Sequence, residues 1–457
     1  MRWQHASAMG FGFGLVPVWA CGGDTRGDDG LFGDGGADSS SISTSPSGDP
    51  TGSSADGTGS VDSADSSDEG ADDVKFDTPG EGGSADDGGP SDCGCGNEDW
   101  SYVFIANSQE GTVSKINTRT LIEEGRYMTR PDGGGSPSRT SVSIDGRAVA
   151  VANRHTGITK IWTRQEFCVD TNGTPGIQTS SGGNDVLAWG EDDCIAWHTD
   201  FPDMTVQRPV QWTGGTGECH EDQKIWTTTG ALGSGPGQCG QSGVWVHRLD
   251  GETGVVEDTI HLTEAEFNCD HTGTTLGLGL GPYGGAVDYE GNFWFHGWGN
   301  GKLARIDFAS LDVEIFQGGG YGITVDTEAR VWLSSSISRF DYTTGERVSA
   351  NVSTSGGISQ DLQGRIWAAG TNGVVWVDME TLAIGEEVVL PGMGQVKGVS
   401  VDVDGYIWAV RQDDPSAYKI DPDDYTIETF TGLNGPYTYS DMTGGSLANI
   451  TCNPPQG

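Results

Sequence analysis

The sequence has few basic residues for its length. Its 457 residues include 24 Lys and Arg against 66 Asp and Glu, which gives a formal net charge of −42. A protein that binds nucleic acid contacts phosphates through a basic face, and electrostatic docking on anionic lipid needs a similar patch. The charge balance argues against both classes, and we expect no nucleic-acid partner.

Motifs that carry chemistry are also lacking. No Ser, His and Asp stand in a triad order, no phosphate loop opens a helix, and no Cys pair has redox spacing. Residues 402–405 and 421–424 look like fragments of calcium loops, but neither continues to the Glu that an EF-hand requires. The sequence therefore predicts no cofactor and leans against an enzyme.

Long apolar runs are absent as well. The N-terminal run at residues 8–20 is too short to span a membrane as a mature helix and is typical of an export signal. It ends at Cys21 after a small residue, which resembles a bacterial lipobox, although Trp19 is atypical there. We expect residues 1–20 to be a lipoprotein signal and Cys21 to be the lipid attachment site; the alternative is an ordinary cleaved signal with a Cys nearby. The expected location is the cell envelope, anchored by lipid in the outer membrane, at the cell surface or in the periplasm.

The next stretch has almost no large apolar side chains. Residues 21–97 are mainly Gly, Ser, Asp, Thr and Ala. Such a segment cannot offset its ordering entropy, so we predict a disordered acidic tether that holds the next domain away from the membrane.

What is present is a repeat. Asp288 precedes Trp294 by six residues, and the same step recurs at Asp326/Trp332, Asp361/Trp367 and Asp402/Trp408, with a last Asp441 that lacks its Trp. The Asp-to-Asp spacings of 38, 35, 41 and 39 residues are typical of four-stranded propeller blades. Together with 75 Gly, they predict an all-β fold, a seven-bladed β-propeller over residues 98–452 with a short tail at 453–457.

The two ends of this domain complement each other. The first blade begins with a second strand at residues 102–107, and residues 435–444 supply an inner strand with nothing after it. We expect the tail to complete blade one and close the ring. In blade two, the fourth strand is expected at residues 194–201, after a long insertion. A count of six or eight blades remains an alternative if residues 164–212 are assigned to the wrong strands.

Nine Cys remain to be explained. If Cys21 carries lipid, the other eight predict four disulfides in an exported chain. The blade assignment gives the expected pairs: Cys239 with Cys269, Cys168 with Cys194, Cys452 with Cys93 or Cys95, and Cys219 with the one left over. The alternative is a zinc site formed by Cys219 and His220 together with Cys93 and Cys95.

The loops that join blades converge on the axis, so we expect a ligand site on that face. We place His296 in the turn after Trp294. Two interpretations remain open: the tyrosines there bind a ligand, or they plug the channel and the histidines are ordinary loop residues. The candidate ligand-binding residues are Tyr283, His296, Trp298, Tyr321, His271, Arg154 and Arg411.

Residues 281–307, GPYGGAVDYEGNFWFHGWGNGKLARID, resemble a blade of the virginiamycin B lyase (streptogramin lyase) family, as do 321–333 and 397–410. The resemblance implies a seven-bladed propeller and a magnesium-dependent elimination that opens a cyclic depsipeptide, using His and Glu at the channel mouth. Here Gly297 stands where that Glu would be, and Tyr283 where a His may follow Gly-Pro. No catalytic residue is carried over, and His296 is the nearby candidate.

These observations favour an exported, lipid-anchored propeller that acts as a binding or scaffold module. Its partner would be a small molecule, peptide or glycan, or an envelope protein. The alternative is a lyase-like enzyme with a rebuilt active site and a divalent metal.

Overall fold

Short strands separated by tight turns account for nearly the whole folded part of the chain. A computed structural model describes residues 101–217, 220–230, 243–263, 265–267, 282–297, 301–412 and 414–455. The predicted signal segment, Cys21 and the tether lie outside these residues.

The strands of the described residues follow one another with short connections, apart from the insertion in blade two. In chain order they are β1 (Tyr102–Asn107), β2 (Thr112–Asn117), β3 (Glu123–Met128), β4 (Pro137–Val142), β5 (Ala148–Asn153), β6 (Ile158–Trp162), β7 (Ile195–Thr199), β8 (Val206–Trp212), β9 (Lys224–Gly230), β10 (Val244–Asp250), β11 (Val256–Leu262), β12 (Pro282–Val287), β13 (Phe293–Gly297), β14 (Lys302–Ile306), β15 (Val313–Gln317), β16 (Ile323–Val325), β17 (Val331–Leu333), β18 (Ser338–Phe340), β19 (Arg347–Ser349), β20 (Ile358–Gln360), β21 (Arg365–Ala369), β22 (Gly373–Asp378), β23 (Val388–Val389), β24 (Val396–Val401), β25 (Ile407–Arg411), β26 (Ser416–Ile420) and β27 (Ile427–Thr431). A 3₁₀ turn covers Gln165–Phe167, and the helix α1 covers Gly445–Cys452.

These strands form seven antiparallel sheets, each built from strands that are consecutive in the chain. Sheets of this kind, arranged around an axis, are the blades of a propeller. The predicted fold class is confirmed. The difficult insertion was also assigned correctly, because β7 pairs with β6 as the fourth strand of blade two.

The Asp-to-Trp step has a direct structural cause. Each Asp ends an inner strand, and its carboxylate accepts hydrogen bonds both from amides of the following turn and from the indole Nε1 of the Trp on the next strand. The four Nε1–Oδ2 distances are 3.0 Å for Trp294, 2.7 Å for Trp332, 2.8 Å for Trp367 and 2.9 Å for Trp408. The six-residue spacing is the distance along the chain from the end of one strand to the middle of its antiparallel neighbour.

The C-terminal segment closes the ring. Residues 435–442 run along β1, where the Tyr437 amide donates to the Ala106 carbonyl at 3.0 Å and the Phe104 amide donates to the Met442 carbonyl at 2.9 Å. Tyr439 also forms a bridge to Arg139 on the inner strand of blade two. The tail therefore supplies the inner edge of blade one, as the sequence predicted.

The helix α1 was not predicted. Asp441, the repeat Asp without a Trp, accepts from the backbone amides of Leu447 at 2.9 Å and Ser446 at 3.2 Å, at the start of this helix. Leu447 and Ile450 are buried among side chains of the blades. The helix thus covers one end of the axis, where a cavity of about 10 Å³ has room for about one water.

One predicted disulfide is present, between Cys168 and Cys194 across the insertion of blade two, with Cα atoms 4.6 Å apart. Cys452 is also disulfide-bonded. The remaining cysteines of the predicted pairs, at positions 93, 95, 219, 239 and 269, lie outside the described residues. No helix within the described ranges is long and apolar enough to cross a membrane.

Candidate functional site

Four tyrosines meet at the axis of the ring and are almost completely buried. We call Tyr283, Tyr321, Tyr437 and Tyr439 the tyrosine cluster; their exposed fractions are 1%, 6%, 7% and 2%. The hydroxyl of Tyr437 lies 2.9 Å from that of Tyr283 and 2.6 Å from that of Tyr321. The aromatic faces are packed on one another, with ring centroids 5.0 Å apart for Tyr283 and Tyr321. These faces are therefore not free to stack on a sugar ring.

Four cations surround the tyrosine cluster. We call them the cation ring: Arg139 on β4, Arg154 just after β5, Arg208 on β8 and Lys397 on β24. Each side-chain cation lies over a tyrosine ring: Arg139 3.0 Å from the Tyr439 centroid, Arg154 4.3 Å from Tyr437, Arg208 4.8 Å from Tyr283 and Lys397 4.4 Å from Tyr321. Cation–π contacts of this kind strengthen when water is excluded.

Several of these side chains occupy β-bulges. The pairing of inner and second strands skips residues between Gln207 and Val210, between Pro282 and Gly284, and between Val396 and Gly398. Arg208, Tyr283 and Lys397 are among the skipped residues. A bulge re-aims a side chain relative to its strand, so three blades use the same device at the same end of the inner strand.

Glycine makes room for this packing. A Cβ on Gly284 would lie 2.7 Å from the Nε2 atom of His296 and 3.0 Å from the Ile323 side chain. Such distances are too short for any other residue, so the inner strand of blade four can approach its neighbours closely only with glycine at this position.

Hydrogen bonding satisfies the cation ring only in part. Arg139 donates to the carbonyl oxygens of Ser138 at 2.8 Å and Tyr283 at 3.0 Å, and Arg154 donates to Ser108 Oγ at 2.8 Å. The Nε atoms of Arg139 and Arg154, the Nε and Nη1 atoms of Arg208 and the Tyr439 hydroxyl have no hydrogen-bond partner among the residues that the structure describes. Within the described part of the chain, none of the three arginines pairs with Asp or Glu.

Burial and charge set the titration of this site. Burial lowers the pKa of Arg139 to about 9, which still leaves the guanidinium charged at neutral pH. Burial alone would raise the pKa of Tyr437, but the positive charges of the cation ring, with Arg208 foremost, outweigh it and lower that pKa to about 8. Burial raises the pKa of Tyr321 well above its ordinary value. A phenolate at Tyr437 would accept hydrogen bonds from the hydroxyls of Tyr283 and Tyr321.

His296 lies beside this cluster, with its ring centroid 6.5 Å from that of Tyr283. It is fully buried in β13, so its predicted place in the turn after Trp294 is wrong. The strand continues past Phe295 because His296 and Gly297 still pair with β12. Neither ring nitrogen makes a hydrogen bond of ordinary geometry to a described residue, although the backbones of Gly297 and Tyr321 are near. Burial lowers the pKa of His296 to about 4. The imidazole is therefore neutral at physiological pH.

Of the remaining residues predicted from the sequence, only one lies at the tyrosine cluster in the described structure. Arg154 joins the cluster, whereas Arg411 donates to the carbonyl oxygens of Pro391, Gly394, Asn372 and Leu390 and so holds the connection before β24 in place. His271 and Trp298 lie outside the described residues.

Five residues of the site were not predicted from the sequence: Arg139, Arg208, Lys397, Tyr437 and Tyr439. A signal was available for the last two, because Tyr437 and Tyr439 alternate in a segment already identified as an inner strand.

Comparison with known proteins gives structural matches only. Neither a protein-family model nor a curated protein matches the chain. Similar structures include catalytically inactive virginiamycin B lyase from Staphylococcus aureus with quinupristin (13% identity, TM-score 0.45, 73% of this chain and 88% of that one). BamB from Moraxella catarrhalis matches at 12% identity and a TM-score of 0.42 over 76% and 86% of the two chains. Apo AztD from Citrobacter koseri matches at 10% identity and a TM-score of 0.46 over 74% and 97%. Identities this low concern the fold alone.

A second cavity lies away from the axis, on the blade-two and blade-three side. This groove of about 210 Å³ contains Lys160, whose Nζ lies 2.8 Å from Glu252 Oε2 and 3.9 Å from the centre of the Trp162 ring. Because Lys160 is already paired with a carboxylate and Arg147 lies over the rings of Trp162 and Phe167, we place the candidate site at the axis. In the described ranges, no three His, Cys, Asp or Glu side chains come close enough together to hold a metal.

Proposed function

We propose that this chain is an exported, lipid-anchored β-propeller that binds a polar ligand at its axis, over the tyrosine cluster and the cation ring. One observation carries the proposal. Among the described residues, buried hydrogen-bond donors without acceptors converge where several inner strands meet, whereas such groups are normally satisfied in a protein interior. A ligand with acceptor atoms would satisfy them.

The arrangement suits binding better than turnover. The donors are held by strands and bulges, so they are preorganised for a ligand and lose little freedom when it binds. The nearest candidate base, His296, is fully enclosed by protein side chains.

The test is a binding screen on the purified full chain. Neutral oligosaccharides, short peptides and organic acids would be added separately, and the melting temperature recorded. A ligand at 100 times its Kd adds about 2.7 kcal/mol of stability, which is readily measured as a shift in melting temperature. We expect at least one class to raise the melting temperature, and Tyr437→Phe to reduce the shift.

The matched control is Tyr342→Phe, which removes an exposed hydroxyl bonded to Glu314 at the rim of blade four. This variant should leave the ligand-induced shift in melting temperature unchanged. If no class stabilises the wild-type chain, the binding proposal is wrong and a scaffold role replaces it.

The envelope location is tested independently. Cells expressing the full chain would be fed labelled palmitate and separated into membrane and soluble fractions. We expect label and membrane association in the wild type and neither in Cys21→Ser. Equal labelling of the two chains would contradict lipid attachment at Cys21.

A further inference from the structure

Two arginines at the axis of the ring are buried without a carboxylate partner among the described residues. Arg139 is 0% exposed and Arg208 is 7% exposed. The rest of the chain is strongly acidic, yet none of the three arginines of the cation ring forms an ion pair in the described residues. An ionised group buried without a counter-charge is destabilising by several kcal/mol, so such groups are normally paired.

The protein compensates this charge incompletely. Tyrosine faces lie against all four cations, and two backbone carbonyls accept from Arg139. The Arg208 guanidinium donates no hydrogen bond to any described residue. It lies instead over the Tyr283 ring. Its Nε and Nη1 atoms, with Arg139 Nε and the Tyr439 hydroxyl, remain as donors.

We propose that the axial site binds a small oxyanion, a carboxylate or phosphate group, through Arg139, Arg208 and the Tyr439 hydroxyl. This inference rests on the proposed binding function and narrows its ligand. Guanidinium groups are suited to the task, because their planar donors match the two oxygens of a carboxylate or phosphate. The bulge at Arg208 supports it further, since a bulge at that position re-aims the side chain towards the axis instead of leaving it in the ladder.

The phenolate form of Tyr437 would compete with a bound oxyanion for the positive charge of the cation ring. Its hydroxyl faces Tyr283 and Tyr321, its ring contacts Tyr439, and its charge state responds to all four members of the cation ring. When the site is empty of other anions, the Tyr437 phenolate becomes the counter-charge as the pH rises through about 8. A bound oxyanion lowers the positive potential, disfavours the phenolate and so raises the pKa of Tyr437. By linkage, raising the pH through about 8 should weaken oxyanion binding.

The experiment follows this tyrosine directly. The full chain would be titrated by the near-ultraviolet absorbance of tyrosinate in chloride, inorganic phosphate, acetate or glucuronate at equal ionic strength. In chloride, one tyrosine should ionise near pH 8, and Tyr437→Phe should remove that step. Phosphate, acetate or glucuronate should move the step upward by about one pH unit. Tyr102 and Tyr127 do not interfere, because burial raises the pKa of both.

Variants of Arg208 identify the binding group. Calorimetric affinity for the active anion should fall about tenfold or more in Arg208→Gln and be partly retained in Arg208→Lys. The matched control is Arg248→Gln in the same blade, since Arg248 is already paired with Asp258 at 2.6 Å and should not affect the anion.

The pattern of shifts across the anions tests the inference and identifies the ligand group. A shift with phosphate alone, or with the carboxylates alone, supports the inference and selects the ligand group, and a shift with glucuronate but not acetate selects an acidic sugar. An unshifted step in every anion, or equal losses in Arg208→Gln and Arg248→Gln, overturns it. If the anions fail while a neutral oligosaccharide or peptide still stabilises the chain in a Tyr437-dependent way, the binding function stands and only the oxyanion is wrong. If neither binds, both fail.

Discussion

The Asp-to-Trp pair of each regular blade should be a major source of stability, and Asp361→Asn tests this. Asp361 is 1% exposed and uses both carboxylate oxygens. Oδ1 accepts from the backbone amides of Gln363 and Arg365 at 2.8 Å, and Oδ2 accepts from Arg365 Nε at 2.6 Å and Trp367 Nε1 at 2.8 Å. Asparagine has the same size but replaces one oxygen with an NH₂ group. In either orientation, that group opposes two donors.

The magnitude follows from these contacts. Hydrogen bonds to a charged acceptor contribute about 1.5–3 kcal/mol each, and a buried donor left without a partner costs about 1–3 kcal/mol. With two donors displaced, we expect the free energy of unfolding to fall by about 3–5 kcal/mol. The assay is urea denaturation of the full chain, followed by tryptophan fluorescence, with the change seen as a lower midpoint.

Asp378→Asn is the matched control in the same blade. Asp378 also ends a strand, but it accepts through Oδ1 alone, from Glu380 N, Thr381 N and Thr381 Oγ1. The amide oxygen of asparagine can replace Oδ1, so we expect a loss of less than about 1 kcal/mol. If the two variants lose the same stability, the argument that Asp361 acts through its second oxygen is wrong.

Three further predictions follow from the geometry. Burial raises the pKa of Asp441 to about 6, above its unfolded value of about 3.9, so this carboxyl favours the folded state at low pH and the contribution is lost as pH rises from about 4 through 6. Urea denaturation at several pH values should show the wild type losing about 2–3 kcal/mol relative to Asp441→Asn across that range, and a constant difference would contradict the assignment. Gly284→Ala should lower stability by about 1–3 kcal/mol, measured in the same way, because its Cβ would meet His296. With magnesium, the full chain should produce no ring-opened virginiamycin B by chromatography, because Gly297 stands where the lyase family has its Glu; chelator-sensitive opening would refute this.

The fold was predictable because its determinants are local in the sequence. The carboxylate of Asp288 and the indole of Trp294 must lie six residues apart to bond across one turn, so the pair marks every regular blade. Ring closure was predictable for a similar reason, since an incomplete first blade and an unpaired last strand have one obvious solution.

The site was less predictable, because it depends on where each inner strand departs from regular pairing. A strand places alternate side chains on opposite faces, and a bulge breaks this alternation at the residue where it occurs. Arg208 and Lys397 reach the axis at such bulges, and no alternation of apolar and polar residues reports them. Tyr283 was predicted because it lies on the face where the loops that join blades converge. The helix after Asp441 was missed because its eight residues carry little amphipathic pattern.

Ring closure by residues 435–442 has a consequence for biosynthesis. Tyr437 and Tyr439 are delivered by the last segment of the domain to be translated. That segment pairs with β1, which was made more than 300 residues earlier. Contacts so distant in sequence form late. A chain released early from the ribosome would lack half of the tyrosine cluster as well as the closing edge. The tyrosine cluster therefore assembles only after translation has passed residue 439.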